Sequence, residues 1–485
     1  MSFLKSYSKI IFGCLLLFGS APATAQENVH PQSTTYQWPT DPQVKEKLDK
    51  WQDQKFGIIL HWGLYAVPGM IESWALCSED WIERDSSTTY EEFKKWYWGL
   101  KQDFNPTAFD PESWAKVARD AGMRYLVFTT KHHDGFAMFD TKETNFKISN
   151  GPFKNNPMAD VSKHVFEAFR KQNFMIGAYF SKPDWHSEKY WWPKYATADR
   201  NNNYDIRKFP WRWNAFKQYT HNQIGELMHH YGSIDILWLD GGWVRPLETV
   251  NDEVRGWGAR IPEWSQDIDM ARIATMARQA QPGLLMVDRT VHGPYENYQT
   301  PEQRVPETQL PHPWESCMTL GNNWGYVPND VMKSPAKVIH TLIEVVAKGG
   351  SLLLGVGPKP DGTLPQEAVQ RLQEVGNWMA KNGAAIYNTR ATKNYRDSST
   401  YFTQNKKGDQ RYALVCLPEK AKVPASIRWK GNLPKKGTNV QLLQTGETVK
   451  WTSQGNTVHI TLPASFVKGN ANVPALAFAF TPAAL

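Results

Sequence analysis

The stretch DILWLDGGW, residues 235–243, decides the fold of this chain. It opens with an apolar run that carries one tryptophan, ends in Asp240 and continues directly into two glycines and Trp243. A short apolar run closed by glycines is typical of a buried parallel strand that turns at its end. The stretch therefore predicts a strand that delivers the Asp240 carboxylate to its C-terminal end.

Similar apolar runs recur on both sides of this stretch and alternate with amphipathic segments. We expect further strands at residues 56–63, 125–130, 174–181, 284–290, 316–320 and 351–357, and helices at residues 111–121, 160–172, 213–231, 266–281, 335–348 and 365–382. Repeated alternation of strand and helix predicts an α/β fold, a (β/α)8 TIM-like barrel over residues 44–386. The active site of such a barrel lies at the C-terminal ends of its strands.

The two ends of the chain follow other patterns. From residue 387 to residue 485, short alternating segments are separated by turn residues, which predicts a C-terminal antiparallel β-sandwich. Residues 1–25 have the layout of a secretory signal peptide, and residues 26–43 form a proline-containing N-terminal arm. We therefore expect an exported protein, periplasmic or secreted, with no membrane span in the mature chain.

Composition narrows the function classes. The net charge is +7, but basic residues are interspersed with acidic ones, so nucleic acid is not an expected partner. Three cysteines remain once the signal peptide is removed, and this odd number predicts no disulfide framework. The 22 Trp, 19 Tyr and 22 Phe exceed what a core needs, and exported proteins often stack such rings on sugars. The oligomeric state is left open.

Four residues at predicted strand ends are candidates for chemistry. Asp240 could be a turn residue, but its place at a barrel mouth between two tryptophans favours attack on, or stabilisation of, a cationic sugar centre. His61 and the pair His132-His133 also follow strands. Adjacent histidines on an extended segment point opposite ways, and no HxH or HExxH spacing occurs, so no metal site is predicted. Neutral imidazoles and the Trp62 indole instead suit sugar hydroxyls.

A glycosidase also needs a second carboxyl group that acts as an acid. The loop at residues 291–315 offers four candidates: Glu296, Glu302, Glu307 and Glu315. Arg289 ends the strand before this loop and could hold a substrate group, while Asp288 beside it is a candidate ion-pair partner.

Six motifs occur in a characteristic order: FGIILHWG, KHHDGF, LWLDGGW, DRT before YQTPEQ, WESC before NNWGY, and GGSLLLGVGPKPDG. Over residues 51–387 the chain thereby resembles the α-L-fucosidases of glycoside hydrolase family 29. The resemblance implies a retaining exo-hydrolase that removes terminal α-L-fucose from a fucosylated oligosaccharide or glycoconjugate. The reaction would pass through a covalent fucosyl-enzyme intermediate, without metal or another cofactor.

The resemblance also implies roles for individual residues. Asp240 matches the family's nucleophile, and Glu302 in YQTPEQ matches its acid/base, with Glu315 in WESC as the alternative. The family's Glu-Trp pair after HWG is replaced here by Glu72-Ser73-Trp74, which leaves the role of Glu72 open. The expected substrate-binding residues are His61, Trp62, Trp74, His132, His133, Tyr179, Trp238, Arg289 and Trp324.

Two other functions are compatible with these residues. One is a barrel glycosidase for a related sugar such as galactose, which differs from fucose by a hydroxyl at C6. The other is a non-catalytic sugar-binding protein in which the sandwich binds the ligand. Comparing hydrolysis of aryl fucosides with that of aryl galactosides distinguishes a fucosidase from a galactosidase. Turnover of either substrate excludes a non-catalytic sugar-binding protein.

Overall fold

The computed structural model describes residues 35–483 apart from residues 80, 81, 83, 85 and 471. The predicted signal peptide and the first part of the predicted arm lie outside the described residues. Among the residues described, Cys77, Cys317 and Cys416 are free thiols. No helix in the described part of the chain is long and apolar enough to cross a membrane.

Seven parallel strands form the first sheet, hydrogen-bonded in the order β5-β4-β3-β2-β1-β7-β6. They are β1 (Phe56–Leu60), β2 (Tyr125–Lys131), β3 (Met175–Ser181), β4 (Ile236–Asp240), β5 (Leu285–Asp288), β6 (Glu315–Thr319) and β7 (Ser351–Val356). Side chains from all seven strands meet in one buried inner cluster, for example Ile59, Trp238, Val287 and Leu353. The sheet is therefore curled around a packed interior, and the predicted TIM-like architecture is confirmed.

Helices accompany this sheet. They are α1 (Pro42–Gln54), α2 (Tyr90–Gly99), α3 (Pro111–Asp120), α4 (Val161–Lys171), α5 (Pro210–His230), α6 (Asp252–Arg255), α7 (Met270–Ala280), α8 (Pro335–Ala347) and α9 (Gln366–Asn382). Local signals explain their starts: Asp110 caps α3 by accepting from the Ser113 amide, and Pro111 follows it at the first position. The apolar faces of the outer helices, such as α3, α4, α8 and α9, pack in one cluster with strand residues and cover the outside of the sheet. Helix α1 instead packs against the inner cluster through its buried residues Val44, Leu48 and Trp51.

Residues 296–302, which we term the closing segment, fill the space between β5 and β6. Glu296 bridges Val287 of β5 in antiparallel fashion, whereas Gln299 and Glu302 bridge Trp314 and Cys317 in parallel fashion. The segment thus descends beside β5, turns, and rises beside β6. It takes the place of an eighth strand and carries Glu302 to the end of the barrel where β4 delivers Asp240.

The C-terminal region is an antiparallel sheet with the strand order β11-β14-β13-β12-β15-β10-β9-β8. The strands are β8 (Thr389–Asp397), β9 (Thr400–Asn405), β10 (Arg411–Cys416), β11 (Ser426–Lys430), β12 (Val440–Leu442), β13 (Thr448–Gln454), β14 (Thr457–Thr461) and β15 (Ala475–Phe480), with helix α10 (Ala464–Gly469) before the last. Trp429 of β11 contacts Phe402 of β9 and Phe478 and Phe480 of β15. The sheet therefore folds over a core of its own, as the predicted sandwich requires.

Candidate active site

Asp240, the last residue of β4, lies among hydrogen-bond donors at the C-terminal end of the barrel. Its Oδ2 accepts from the Tyr179 hydroxyl at 2.8 Å, and its Oδ1 accepts from Arg289 at 2.9 Å and from the Gly241 amide at 2.8 Å. Burial alone would raise the pKa of Asp240, but the charge of Arg289 and these hydrogen bonds outweigh it and hold the pKa well below the usual range. Asp240 is therefore ionised at neutral pH, as a nucleophile must be.

Arg289, the first residue after β5, connects two carboxylates. One terminal nitrogen donates to Asp240, and the other donates to Glu302 Oε2 at 2.7 Å. The guanidinium carbon lies 4.5 Å from the centre of the Trp238 ring. The proposed pairing of Arg289 with Asp288 is wrong, because Asp288 instead accepts from Lys182 at 2.5 Å in a buried ion pair.

Glu302 reaches the same space from the closing segment. Its second oxygen, Oε1, accepts from the indole nitrogen of Trp324 at 3.0 Å. The side chains of Asp240 and Glu302 are 19% and 20% exposed, so both carboxylates border a space that a ligand can enter. The structure thus places together the two carboxyl groups that the sequence paired.

Glu315, the alternative acid, lies elsewhere. It is fully buried in the barrel interior, where one oxygen accepts from the Tyr125 hydroxyl at 2.8 Å and the other from the Trp238 indole at 3.1 Å. Burial raises the pKa of Glu315 to about 7, a value that suits a general acid. Geometry takes precedence over pKa in choosing an acid, and Glu315 has no exposed surface that a glycosidic oxygen could reach, whereas the Glu302 side chain is 20% exposed. The structure therefore gives Glu315 the contacts of a structural residue.

His132 and His133 both face Asp240. Their ring centroids are 4.2 Å apart, and His133 Nε2 lies 3.8 Å from Asp240 Oδ2. The expectation that the two rings point opposite ways is wrong, because both residues follow the end of β2 and lie in a turn rather than on an extended strand. Burial lowers the pKa of His132 to about 4 and that of His133 well below its usual value.

Hydrogen bonds fix the tautomer of His133. The Ser181 hydroxyl donates to the Pro183 carbonyl at 2.7 Å, so at its 2.8 Å contact with His133 Nδ1 it must accept. Nδ1 therefore carries the proton, and Nε2 offers a lone pair beside Asp240. A sugar hydroxyl that donates to this lone pair would be held against the nucleophile.

His61 completes the histidine group. It is 5% exposed, its ring lies 5.0 Å from that of Trp324, and burial lowers its pKa to about 3. Its Nδ1 is a buried polar atom without a hydrogen-bond partner among the described residues. Leaving such an atom unpaired is costly. The position of the ring beside Trp324, whose indole donates to Glu302, suits contact with a substrate hydroxyl.

Aromatic rings line one side of this space. Trp74 lies 5.2 Å from His133 and 5.5 Å from Trp243, and the Arg200 guanidinium lies over both indoles, at 4.8 Å and 5.1 Å. Trp185 lies 5.2 Å from His133 on the same side. Trp243 was visible in the opening stretch, but nothing in the sequence marked Trp185 or Arg200 as neighbours of the site.

Trp62 is not brought to this space. Its ring is 1% exposed and packs against Phe104, Phe109 and Trp114, and its indole nitrogen donates to the Lys359 carbonyl at 3.0 Å. These contacts are those of a core residue, which contradicts the expected contact with a sugar. His61 and Trp62 are consecutive and point in different directions.

Glu72 supports the site indirectly. One oxygen of this buried carboxyl group accepts from the backbone amides of Trp324 and Gly325, both at 2.9 Å. Glu72 thus fixes the loop that presents the Trp324 indole to Glu302. Tyr179 and Trp238, whose rings stack at 5.3 Å, provide the floor beneath Asp240 and Arg289.

His132, His133 and Asp240 each offer one metal-ligand atom within 4.8 Å of the others. The Asp240 oxygens, however, already accept three hydrogen bonds, and the Arg289 cation 2.9 Å away would repel a second cation. The donor set therefore suits a neutral polyol better than a metal ion. The absence of a metal from the reaction stays a prediction.

An ionised carboxylate and a second carboxyl group, brought together at the mouth of a barrel, are the pair of groups that a glycoside hydrolase requires. The comparisons with known proteins specify which one. A model of the α-L-fucosidase family matches residues 23–384, and the chain belongs to that family. Retaining hydrolysis of terminal α-L-fucosides, the reaction predicted from the sequence, is confirmed at the level of the family.

Individual relatives agree with this assignment. The plasma α-L-fucosidase of Homo sapiens is 28% identical over 438 residues, which cover 86% of each chain. α-L-fucosidase isoenzyme 1 from Paenibacillus thiaminolyticus is 28% identical, with a TM-score of 0.71 over 91% of this chain and 100% of that one. A third relative is an α-L-fucosidase from Bacteroides thetaiotaomicron whose structure was trapped as a covalent intermediate with 2-fluoro-fucosyl fluoride. It is 23% identical and shares the fold, with a TM-score of 0.68 over 94% of this chain and 99% of that one.

Proposed function

We propose that Asp240 is the nucleophile and Glu302 the acid/base of a retaining exo-α-L-fucosidase. The observation that carries this assignment is the Arg289 bridge, with contacts of 2.9 Å to Asp240 and 2.7 Å to Glu302. Retaining enzymes hold their two carboxyl groups roughly 5 Å apart, and inverting enzymes roughly 6.5–9.5 Å apart. Two carboxyl groups bound to one guanidinium favour the shorter separation.

The reaction has two steps. In the first, an Asp240 oxygen attacks the anomeric carbon, the glycosidic bond breaks, and protonated Glu302 gives its proton to the departing oxygen. In the second, Glu302 takes a proton from water, the water oxygen attacks the anomeric carbon, and Asp240 leaves as a carboxylate. His61, His132 and His133 would hold sugar hydroxyls, with Tyr179, Trp238 and Trp324 around the ring. No metal or other cofactor takes part.

A covalent intermediate offers a direct test. Incubation with 2-fluoro-fucosyl fluoride should add one 2-fluoro-fucosyl group, detected by intact-mass spectrometry, and peptide mapping should locate it on Asp240. A label on any other carboxylate would refute the assignment. Turnover of aryl fucosides in preference to aryl galactosides would at the same time exclude the alternative sugar.

The remaining parts of the proposal concern location and organisation. The basic and apolar start of the chain supports a signal peptide and export to a periplasm or the exterior, and the matched relative named for plasma supports the same direction. We assign residues 44–386 to catalysis and residues 387–485 to a supporting β domain. The substrate is a fucosylated oligosaccharide or glycoconjugate, nucleic acid is not a partner, and the mature chain has no membrane span.

A further inference from the structure

The closing segment is held differently from the seven strands. Against β5 its backbone makes the isolated bridge between Glu296 and Val287 and a hydrogen bond of 2.8 Å from the Asn297 amide to the Met286 carbonyl.

Against β6, the amide of Cys317 donates to the Pro301 carbonyl at 3.3 Å and its carbonyl accepts from the Gln303 amide at 2.9 Å. A catalytic group is positioned accurately only when the element that carries it is itself fixed by packing and hydrogen bonds. The bonds to Cys317 fix the backbone on both sides of Glu302, and the residues before it are held in addition by groups from outside the sheet.

Asn297 is the anchor of the segment. It is fully buried, and its side-chain oxygen accepts from the Met286 amide at 2.8 Å and from Arg278 at 3.1 Å. Its backbone carbonyl accepts from the hydroxyl of Tyr36 at 2.7 Å. Tyr36 precedes α1 and belongs to the N-terminal arm, which is 261 residues away in sequence.

Tyr36 reaches the segment by a second route. Its ring stacks on His312, with centroids 4.7 Å apart and an interplanar angle of 13°. His312 is buried and its Nε2 contacts the side-chain oxygen of Gln299 at 2.8 Å. In addition, Trp51 of α1 stacks on Tyr298 at 3.9 Å. Three consecutive residues of the closing segment, Asn297, Tyr298 and Gln299, are thus held by Tyr36 and Trp51, in the last case through His312.

We propose that Tyr36 is a positioning residue for catalysis, which holds the closing segment at the depth where Glu302 reaches the glycosidic oxygen. This inference rests on the proposed role of Glu302. The hydroxyl of Tyr36 fixes Asn297, and its ring fixes His312 and hence Gln299, three residues before Glu302. Since a displacement of about 1 Å in a catalytic group can cost about 100-fold in rate, partial release should cost about tenfold wherever proton donation is needed.

The test compares aryl α-L-fucosides whose leaving groups range from dinitrophenolate, which needs no proton, to phenolate, which does. Tyr36→Ala should lower kcat/KM about tenfold for the phenyl fucoside and less than about twofold for the dinitrophenyl fucoside. Tyr36→Phe keeps the stacking on His312 but loses the hydrogen bond, so its phenyl fucoside activity should fall between those of the wild type and Tyr36→Ala.

Tyr387→Phe is a matched control. Tyr387 is also half-buried and also donates its hydroxyl to a backbone carbonyl, that of Gly122, but it lies outside the closing segment and its supports. Its removal should lower the melting temperature without changing the dependence of kcat/KM on the leaving group.

The outcomes separate the two proposals. Suppose that Glu302→Gln shows the expected dependence of kcat/KM on the leaving group. The positioning role of Tyr36 is then overturned if the Tyr36 variants lose kcat/KM equally for all leaving groups, or lose none. If Glu302→Gln shows no such dependence, the acid/base assignment fails and the role of Tyr36 fails with it. Should Tyr36→Ala not fold, Tyr36→Phe decides by the same criterion.

Discussion

Replacement of Arg289 by methionine tests whether one guanidinium holds both carboxylates in place. The change removes charge-assisted hydrogen bonds of 2.9 Å to Asp240 and 2.7 Å to Glu302. Each is worth about 1.5–3 kcal/mol, and breaking a buried ion pair costs about 3–5 kcal/mol. Because the two carboxylates are 19% and 20% exposed, we expect the lower end, a loss of about 3 kcal/mol in the free energy of unfolding at neutral pH.

The loss should depend on pH. Burial opposes ionisation of Asp240, but Arg289 overrides it and lowers the pKa, so the resulting stabilisation exists above the unfolded-state pKa of roughly 3.9. It is lost as the pH falls towards the folded-state value. The stability difference between wild type and Arg289→Met, measured by urea unfolding, should therefore be largest near pH 7 and shrink below roughly pH 4. The acid limb of kcat/KM should move to higher pH in the variant.

Arg245→Met is the control for this experiment. Arg245 is also buried, but it donates to backbone oxygens of Gly242 and Thr290. Its replacement should lower stability and leave the acid limb of kcat/KM in place. The bridge would be refuted if the acid limb of kcat/KM in Arg289→Met coincided with that of the wild type. It would also be refuted if Arg245→Met shifted the acid limb by as much as Arg289→Met.

Three further predictions concern the same site. Glu302→Ala should lower activity on natural glycans about 100-fold or more, retain more activity on activated aryl fucosides and be rescued by azide. Glu315→Gln should instead lower the melting temperature and show no rescue by azide. The opposite pattern would make Glu315 the acid/base. Asp240→Gly should bind fucosides in calorimetry yet hardly turn them over, and near-normal turnover would eliminate it as the nucleophile. Treatment with a chelator should leave kcat unchanged, because His132 and His133 serve as neutral hydrogen-bonding groups; loss of activity restored by a divalent cation would show that they bind a metal.

Local patterns were sufficient for much of the barrel. Apolar runs closed by glycine or polar residues predicted β4 and its neighbours, because a buried parallel strand must be apolar along its whole length. Parallel strands end at the same face of a barrel, so the grouping of Asp240, His61 and Arg289 follows from the strand assignments alone.

Strand periodicity does not extend to the residues beyond a strand end. His132 and His133 lie in a turn and both face Asp240, although strict alternation would separate them. Trp62 follows His61 and turns away into the core formed with Trp114. Side-chain direction in a turn is set by its own dihedral angles and by packing, which periodicity does not report.

By itself, the sequence determined the order of strands and helices, the change to an antiparallel β domain, the family, and the place of Asp240 at a strand end. These depend on local periodicity and on motifs of a few residues. Only the tertiary structure showed which glutamate shares Arg289 with Asp240. Glu302 and Glu315 both take part in parallel pairing, Glu302 with Cys317 and Glu315 with Ser351. The closing segment, however, brings Glu302 to Arg289, while Glu315 begins β6 and is buried against Tyr125 and Trp238. The physical reason is that depth in a barrel is set by strand register and by contacts between distant segments, such as Tyr36 with Asn297, which no local pattern encodes.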